Sequence, residues 1–158
     1  MKKNIWRILT LIWCVFIFVQ SHMNGIQSGN ESKWFFMFIN RLISQVFNSK
    51  AEFITEFLIR KTAHFVEYMI LGIFLMNAVK TYERIPKKVP VAVIIGAFYA
   101  VTDEFHQYFI PGRAMSVYDM LIDSAGVLTG VIATELVCRK RLLIQKSELE
   151  KEEEKIYN

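Results

Sequence analysis

This sequence has few cysteines and lacks glycine-rich loops, repeats and charge in the middle of its apolar runs. Only Cys14 and Cys138 occur in 158 residues, each inside an apolar segment and at opposite ends of the chain. They have neither metal-ligand spacing nor partners nearby. They read as buried apolar-like side chains and say nothing about redox compartment. No CxxC pair, glycine-rich phosphate loop or internal repeat is present, so zinc-ribbon, nucleotide-loop and solenoid readings all fall away. Ile70 to Val79 and Val91 to Ala97 carry no charge at all. The net charge of +4 does not point to nucleic acid, because the basic residues lie at the ends of apolar runs. That is the membrane pattern.

The chain is 53% hydrophobic and 14% aromatic, with a mean hydropathy of +0.28. A single domain of this length has no room for a membrane unit plus a soluble catalytic domain. Four runs approach the roughly 20 helical residues that a bilayer core requires: Ile5 to about Met23, Thr62 to Val79, Val89 to Ile110, and Val117 to Cys138. The fold class is therefore all-α, an integral membrane four-helix bundle. Residues 1–138 form the transmembrane domain and 139–158 a charged cytoplasmic tail. The first run resembles a signal-peptide core, yet Gln20-Ser21-His22-Met23 offers no small-x-small cleavage site. Trp6 and Trp13 suit an uncleaved anchor.

Thirteen of the nineteen basic residues precede helix one, lie between helices two and three, or follow helix four. This asymmetry predicts a multi-pass protein of the cell membrane with both termini cytoplasmic. The long segment Asn24 to Lys61 then lies outside. Within it, Trp34 to Ile39, Leu42, Ile43, Val46 and Phe47 oppose Asn40, Arg41, Ser44 and Gln45. This is an amphipathic helix, lying on the outer leaflet or packed over the bundle mouth. Ser49-Lys50-Ala51-Glu52 has capping-box spacing and predicts a helix that begins there and runs into helix two. The alternating charges of Lys146 to Lys155 predict a solvated helical extension that frays into disorder.

Ionisable residues inside spanning helices are costly, so each marks a functional candidate. Helix two carries Lys61, His64 and Glu67 on one side, followed by Tyr68. Helix three carries Asp103, Glu104, His106 and Gln107. Helix four carries Asp119 and Asp123, and Arg113 sits in the turn Ile110-Pro111-Gly112-Arg113. Given the topology, three helices deliver these groups to the same outer third of the membrane. Asp119, Asp123, Gly126 and Gly130 share one line of helix four, and Gly126–Gly130 is a small-xxx-small packing face. The carboxylates on that line therefore point into the bundle. Gly96, Tyr99, Asp103 and Gln107 form a similar stripe on helix three, with His106 off it.

Structural readings stand beside these. Asp119 completes a capping box with Ser116. Lys61 and Arg113 can snorkel to the interface, and Glu67 can serve only to pair with Lys61 or His64. Gln20, Ser21 and His22 could line the mouth of the site.

Several blocks, in order, resemble the VanZ-like family of bacterial membrane proteins. They are Lys61-Thr62-Ala63-His64-Phe65-Val66-Glu67-Tyr68, Thr102-Asp103-Glu104-Phe105-His106-Gln107, Phe109-Ile110-Pro111-Gly112-Arg113, Asp119-Met120-Leu121-Ile122-Asp123, and Gly126. Asp123 departs from the pattern, where relatives often carry Asn. The resemblance implies a small multispanning protein of the envelope. It also implies an association with teicoplanin resistance, but no agreed reaction comes with it.

Whether the chain is an enzyme stays open. A modifier of a lipid headgroup or envelope precursor would use His64, Glu67, Asp103, Glu104 and Asp123 as acid, base or ligand. Lys61, Tyr68, Gln107, Arg113 and Asp119 would then bind the substrate, with the two cations holding a phosphate. A lipoglycopeptide anchored by its acyl chain at this surface would feel such a modification. The alternative is a non-catalytic binder, scaffold or small transporter. No cofactor is required, yet five carboxylates face two fixed cations. Either protons are shared, with Lys61–Glu67 and Arg113–Asp119 pairs shrinking the excess, or a divalent cation or cationic group binds.

Overall fold

The computed structural model describes residues 2–22, Met37, Phe38, Arg41 and residues 56–157. Four long helices make up the described secondary structure: α1 (Lys2–Ser21), α2 (Glu56–Lys80), α3 (Lys88–Gln107) and α4 (Val117–Tyr157). Each is long and apolar enough to cross a membrane. The expected amphipathic helix and the Ser49 cap lie outside the described residues, apart from three helical positions at Met37, Phe38 and Arg41.

Contacts at the helix ends fix the topology. Arg7 of α1 donates to Thr81 just past α2, while Gln107 at the end of α3 donates to Ser21 at the end of α1. Lys61 pairs with Asp119, and Lys80 with Glu135. Hence α1 and α3 run one way, and α2 and α4 the other. One end of the bundle carries the chain termini and the α2–α3 link, and is called here the termini end. The other, with the α3–α4 turn, is the site end.

The tightest interface is between α2 and α4, and glycine makes it. A Cβ on Gly126 would strike the Phe65 carbonyl, and one on Gly130 the Met69 carbonyl. From the opposite side, Gly72 meets the backbone of Val127. Without side chains between them, the two backbones approach closely, which is how helices gain packing energy where lipid offers no hydrophobic drive. Tyr68, Leu71, Leu75, Met76, Ala92, Ala100, Val127 and Val131 fill the core. The outward faces remain apolar: Ile94, Phe98, Val101 and Phe105 on α3, and Leu121, Leu128, Ile132 and Leu136 on α4, are exposed. That distribution suits lipid on the outside.

Helix α4 runs unbroken for 41 residues, roughly 60 Å at the α-helical rise. This is about twice the hydrocarbon thickness of a bilayer, so its charged second half projects beyond the membrane. The backbone shows no break at residue 139, and the tail stays helical to Tyr157. Closely spaced acidic and basic residues suit a solvated helix, as in the Lys146–Glu150 pair one turn apart.

Candidate functional site

The α3–α4 turn builds the mouth of the site. Arg113 N–H donates to the Ile110 carbonyl at 3.1 Å, with Pro111 and Gly112 between them. Gly112 has φ of 77°, the conformation that the third position of a Pro-Gly type II turn demands. The turn folds Arg113 back so that its Nη1 donates to Gln107 Oε1 at 2.9 Å. Gln107 uses its amide nitrogen for Asp103 Oδ2 at 3.1 Å and Ser21 Oγ at 3.3 Å. A relay thus runs from Arg113 through Gln107 to a buried carboxylate and to α1. Burial lowers the Arg113 pKa, the Asp103 charge opposes that, and Arg60 adds to it. The guanidinium stays charged in any case.

The first turn of α4 is held by two groups. Ser116 Oγ accepts from Asp119 N–H at 3.3 Å, one half of the expected capping box. The reciprocal half is made by Glu104 instead, whose Oε2 accepts from Ser116 N–H at 2.9 Å. A carboxylate from α3 therefore caps α4, where the helix dipole favours negative charge. This leaves the Asp119 carboxylate free to pair with Lys61.

The expected Lys61–Glu67 and Arg113–Asp119 pairs are thus corrected to Lys61–Asp119 and Arg113–Gln107. The reason is geometric. Glu67 lies about 9 Å along the axis from Lys61 at the helical rise, whereas the start of α4 packs directly on α2. Glu67 is half-buried, within electrostatic range of Asp103 and Arg113.

Behind this layer the polar groups are sealed in. Asp123 is 0% exposed, Glu104 1% and Asp103 4%, which places all three on inward faces. Neither Asp123 oxygen has a hydrogen-bond partner, and Asp103 Oδ1, Glu104 Oε1, His64 Nδ1 and Tyr68 OH also lack one. The Tyr68 hydroxyl is within electrostatic range of Asp103 and Asp123. His64 Nδ1 lies 3.8 Å from Asp123 Oδ1, close enough for charge interaction but longer than a hydrogen bond. Buried polar groups normally find partners. A run of orphans on three adjoining helices is not what stability alone would leave.

A cavity of about 150 Å³ opens above them, lined by Arg60, Lys61, His64, Gln107, Gly112, Arg113, Ala114 and Asp119. Of the residues singled out in the sequence, Lys61, His64, Gln107, Arg113 and Asp119 reach this lining. Tyr68, Asp103, Glu104 and Asp123 lie beneath it, and Glu67 is beside them.

His106 lies elsewhere, tilted against Phe18 with ring centroids 4.6 Å apart, its Nε2 3.3 Å from His22 Nδ1. Arg60 was not singled out, although it stands next to Lys61 at the mouth. Ser21 is buried on Gln107 rather than lining the mouth. The two cysteines are free and half-buried. Among the described residues, no three His, Cys, Asp or Glu side chains converge as a metal-binding group.

The model of the family described as VanZ/LLP1 matches residues 6–138, from the first turns of α1 through the apolar part of α4. The chain belongs to the VanZ/LLP1 family. It is a VanZ-family membrane protein, and the family match covers every residue of the cavity and of the buried cluster. No curated protein and no solved structure gives a significant match.

Proposed function

We propose that this VanZ-family protein sits in a bacterial cell membrane with both termini cytoplasmic. Its site end faces outward, where it binds the phosphate-bearing headgroup of a lipid or lipid-linked envelope precursor. The observation that supports this most directly is the charge of the cavity lining. Arg60, Lys61 and Arg113 line it against a single carboxylate, Asp119, so the surface a ligand meets is cationic, although Asp103, Glu104 and Glu67 act on Arg113 from beneath. Arginine offers planar, bidentate recognition of phosphate oxygens, and Lys61 adds a point charge. An acyl chain would lie along the apolar outer faces of α3 and α4, which reach the same level.

The teicoplanin association implied by the family fits a change at this surface, because an acylated glycopeptide docks on the outer leaflet. A transporter reading has less support. Below the cluster, Leu71, Leu75, Met76, Val127 and Val131 form a buried apolar layer, whereas transport calls for polar groups near the midplane.

The test is binding of a short-chain phosphatidic acid to the protein in phosphatidylcholine nanodiscs. Binding should weaken about 100-fold in the Lys61→Ala/Arg113→Ala double variant, since each charged hydrogen-bonding group contributes roughly 1.5 kcal/mol or more. Equal binding by the double variant would refute the headgroup reading.

A further inference from the structure

Building on that headgroup reading, we infer that the cavity takes a phosphate monoester and that His64, oriented by Asp123, hydrolyses it. The ligand class comes from charge. Three cations, Arg60, Lys61 and Arg113, line the cavity against one carboxylate, Asp119, and the other carboxylates of the cluster lie buried beneath that surface. A phosphomonoester carries between about −1.5 and −2 at neutral pH, whereas a phosphodiester carries a single negative charge.

The reaction comes from the placement of His64. It lines the cavity, yet its Nδ1 is enclosed and turned toward Asp123, which leaves Nε2 as the ring nitrogen for the ligand. Asp123 is fully buried and neither of its oxygens is hydrogen-bonded. A catalytic pair often stands longer without substrate and tightens when the imidazole becomes charged. The other lining groups are committed: Asp119 to Lys61, Gln107 to Arg113 and Asp103. His64 is also the lining side chain whose ordinary pKa lies near neutrality.

The step balances with water as the only co-reactant. Water oxygen attacks phosphorus, and one water proton passes to His64 Nε2, where Asp123 stabilises the imidazolium. The bond between phosphorus and the lipid oxygen breaks. His64 returns the proton to that oxygen, giving a lipid alcohol and hydrogen phosphate. His64 touches the reacting atoms, and Asp123 is a positioning residue.

The experiment uses the full chain in phosphatidylcholine nanodiscs. Dioctanoyl phosphatidic acid is the substrate, its phosphonate analogue the binding probe, and inorganic phosphate the free-anion control. Phosphate release by the wild type should exceed that of empty nanodiscs. His64→Ala should lose about 100-fold or more, regain part of it with added imidazole, and still bind the phosphonate. Asp123→Asn should lower kcat with KM unchanged and move the acid limb of the pH profile to lower pH, because the imidazolium loses its counter-charge. Phosphonate binding without phosphate release overturns the dyad and leaves the headgroup reading standing. Failure of the phosphonate to bind sinks both. Inorganic phosphate binding as tightly as the phosphonate would assign the cavity to the free anion and overturn the lipid monoester.

Discussion

At the termini end, Glu135 meets Lys80 at 3.0 Å and Arg139 at 2.8 Å. Arg7 donates twice to Thr81 while lying 4.1 Å from the centre of the Tyr82 ring. Charges there are met by opposite charges: Lys80 Nζ is enclosed and without a hydrogen bond, but it has the Glu135 carboxylate beside it. At the site end, three nearly dry carboxylates keep unpaired oxygens beneath a cavity whose rim is cationic. Both ends of the bundle carry charge, yet only the first arrangement is what anchoring a bundle requires. Burying an unpartnered polar group costs free energy, so its persistence on α2, α3 and α4 together argues for a ligand.

The largest expected effect concerns sidedness. Cys14→Ser/Cys138→Ser protein carrying Met115→Cys should be modified in intact cells by an impermeant thiol reagent. The same background carrying Lys87→Cys should be spared. Both positions are exposed and lie at opposite ends of the bundle. The reverse pattern would put the cavity on the cytoplasmic side and remove the outer-leaflet reading.

Next comes the glycine seam on which both ends depend. Gly130→Leu drives a side chain into the Met69 carbonyl and should cost about 3 kcal/mol, the upper range for overpacking. A thermal unfolding midpoint equal to that of the wild type would mean that the α2–α4 contact does not hold the two ends in register.

Much of this fold is legible in the sequence, because a bilayer reduces the question to run length, and the small-xxx-small spacing of Gly126 and Gly130 marks the seam. The facing of α3 is legible too: Asp103 and Gln107 are both buried. What the sequence hides is pairing. Nothing in the spacing says that Glu104 reaches from α3 to cap α4, and that contact in turn frees Asp119 for Lys61. Nor does helical periodicity reveal Gly72 as the counterpart of Val127, since one glycine in an apolar run has no partner until two helices are docked. Arg60 escapes notice for a related reason. Next to Lys61 it reads as one more interfacial cation, and only the folded-back Pro111-Gly112 turn brings Arg113 across from it.

A smaller effect tests whether the buried carboxylates are kept for stability. Asp123→Asn preserves volume and removes a charge that has no hydrogen-bond partner. It should leave stability unchanged or raise it by about 1 kcal/mol, since an unpaired buried polar group is a burden on the fold. A loss of that size in thermal unfolding would show that the carboxylate anchors the bundle. The contrast between the two ends would then fail at its central residue.

The smallest effect belongs to the other end. Glu135→Gln breaks the ion pairs with Lys80 and Arg139 in a region where each partner retains an alternative. The Arg139 side chain is 71% exposed and returns to water. Lys80, at the last turn of α2, can extend its ammonium toward the headgroups, and its charge also complements the carboxyl end of that helix. Partly exposed ion pairs of this kind contribute less than about 1 kcal/mol. Stability should therefore fall by no more than that, and phosphatidic acid binding should not change. A fall in binding would mean that the termini end is coupled to the cavity along α4, and that the two ends work as one device instead of an anchor and a site.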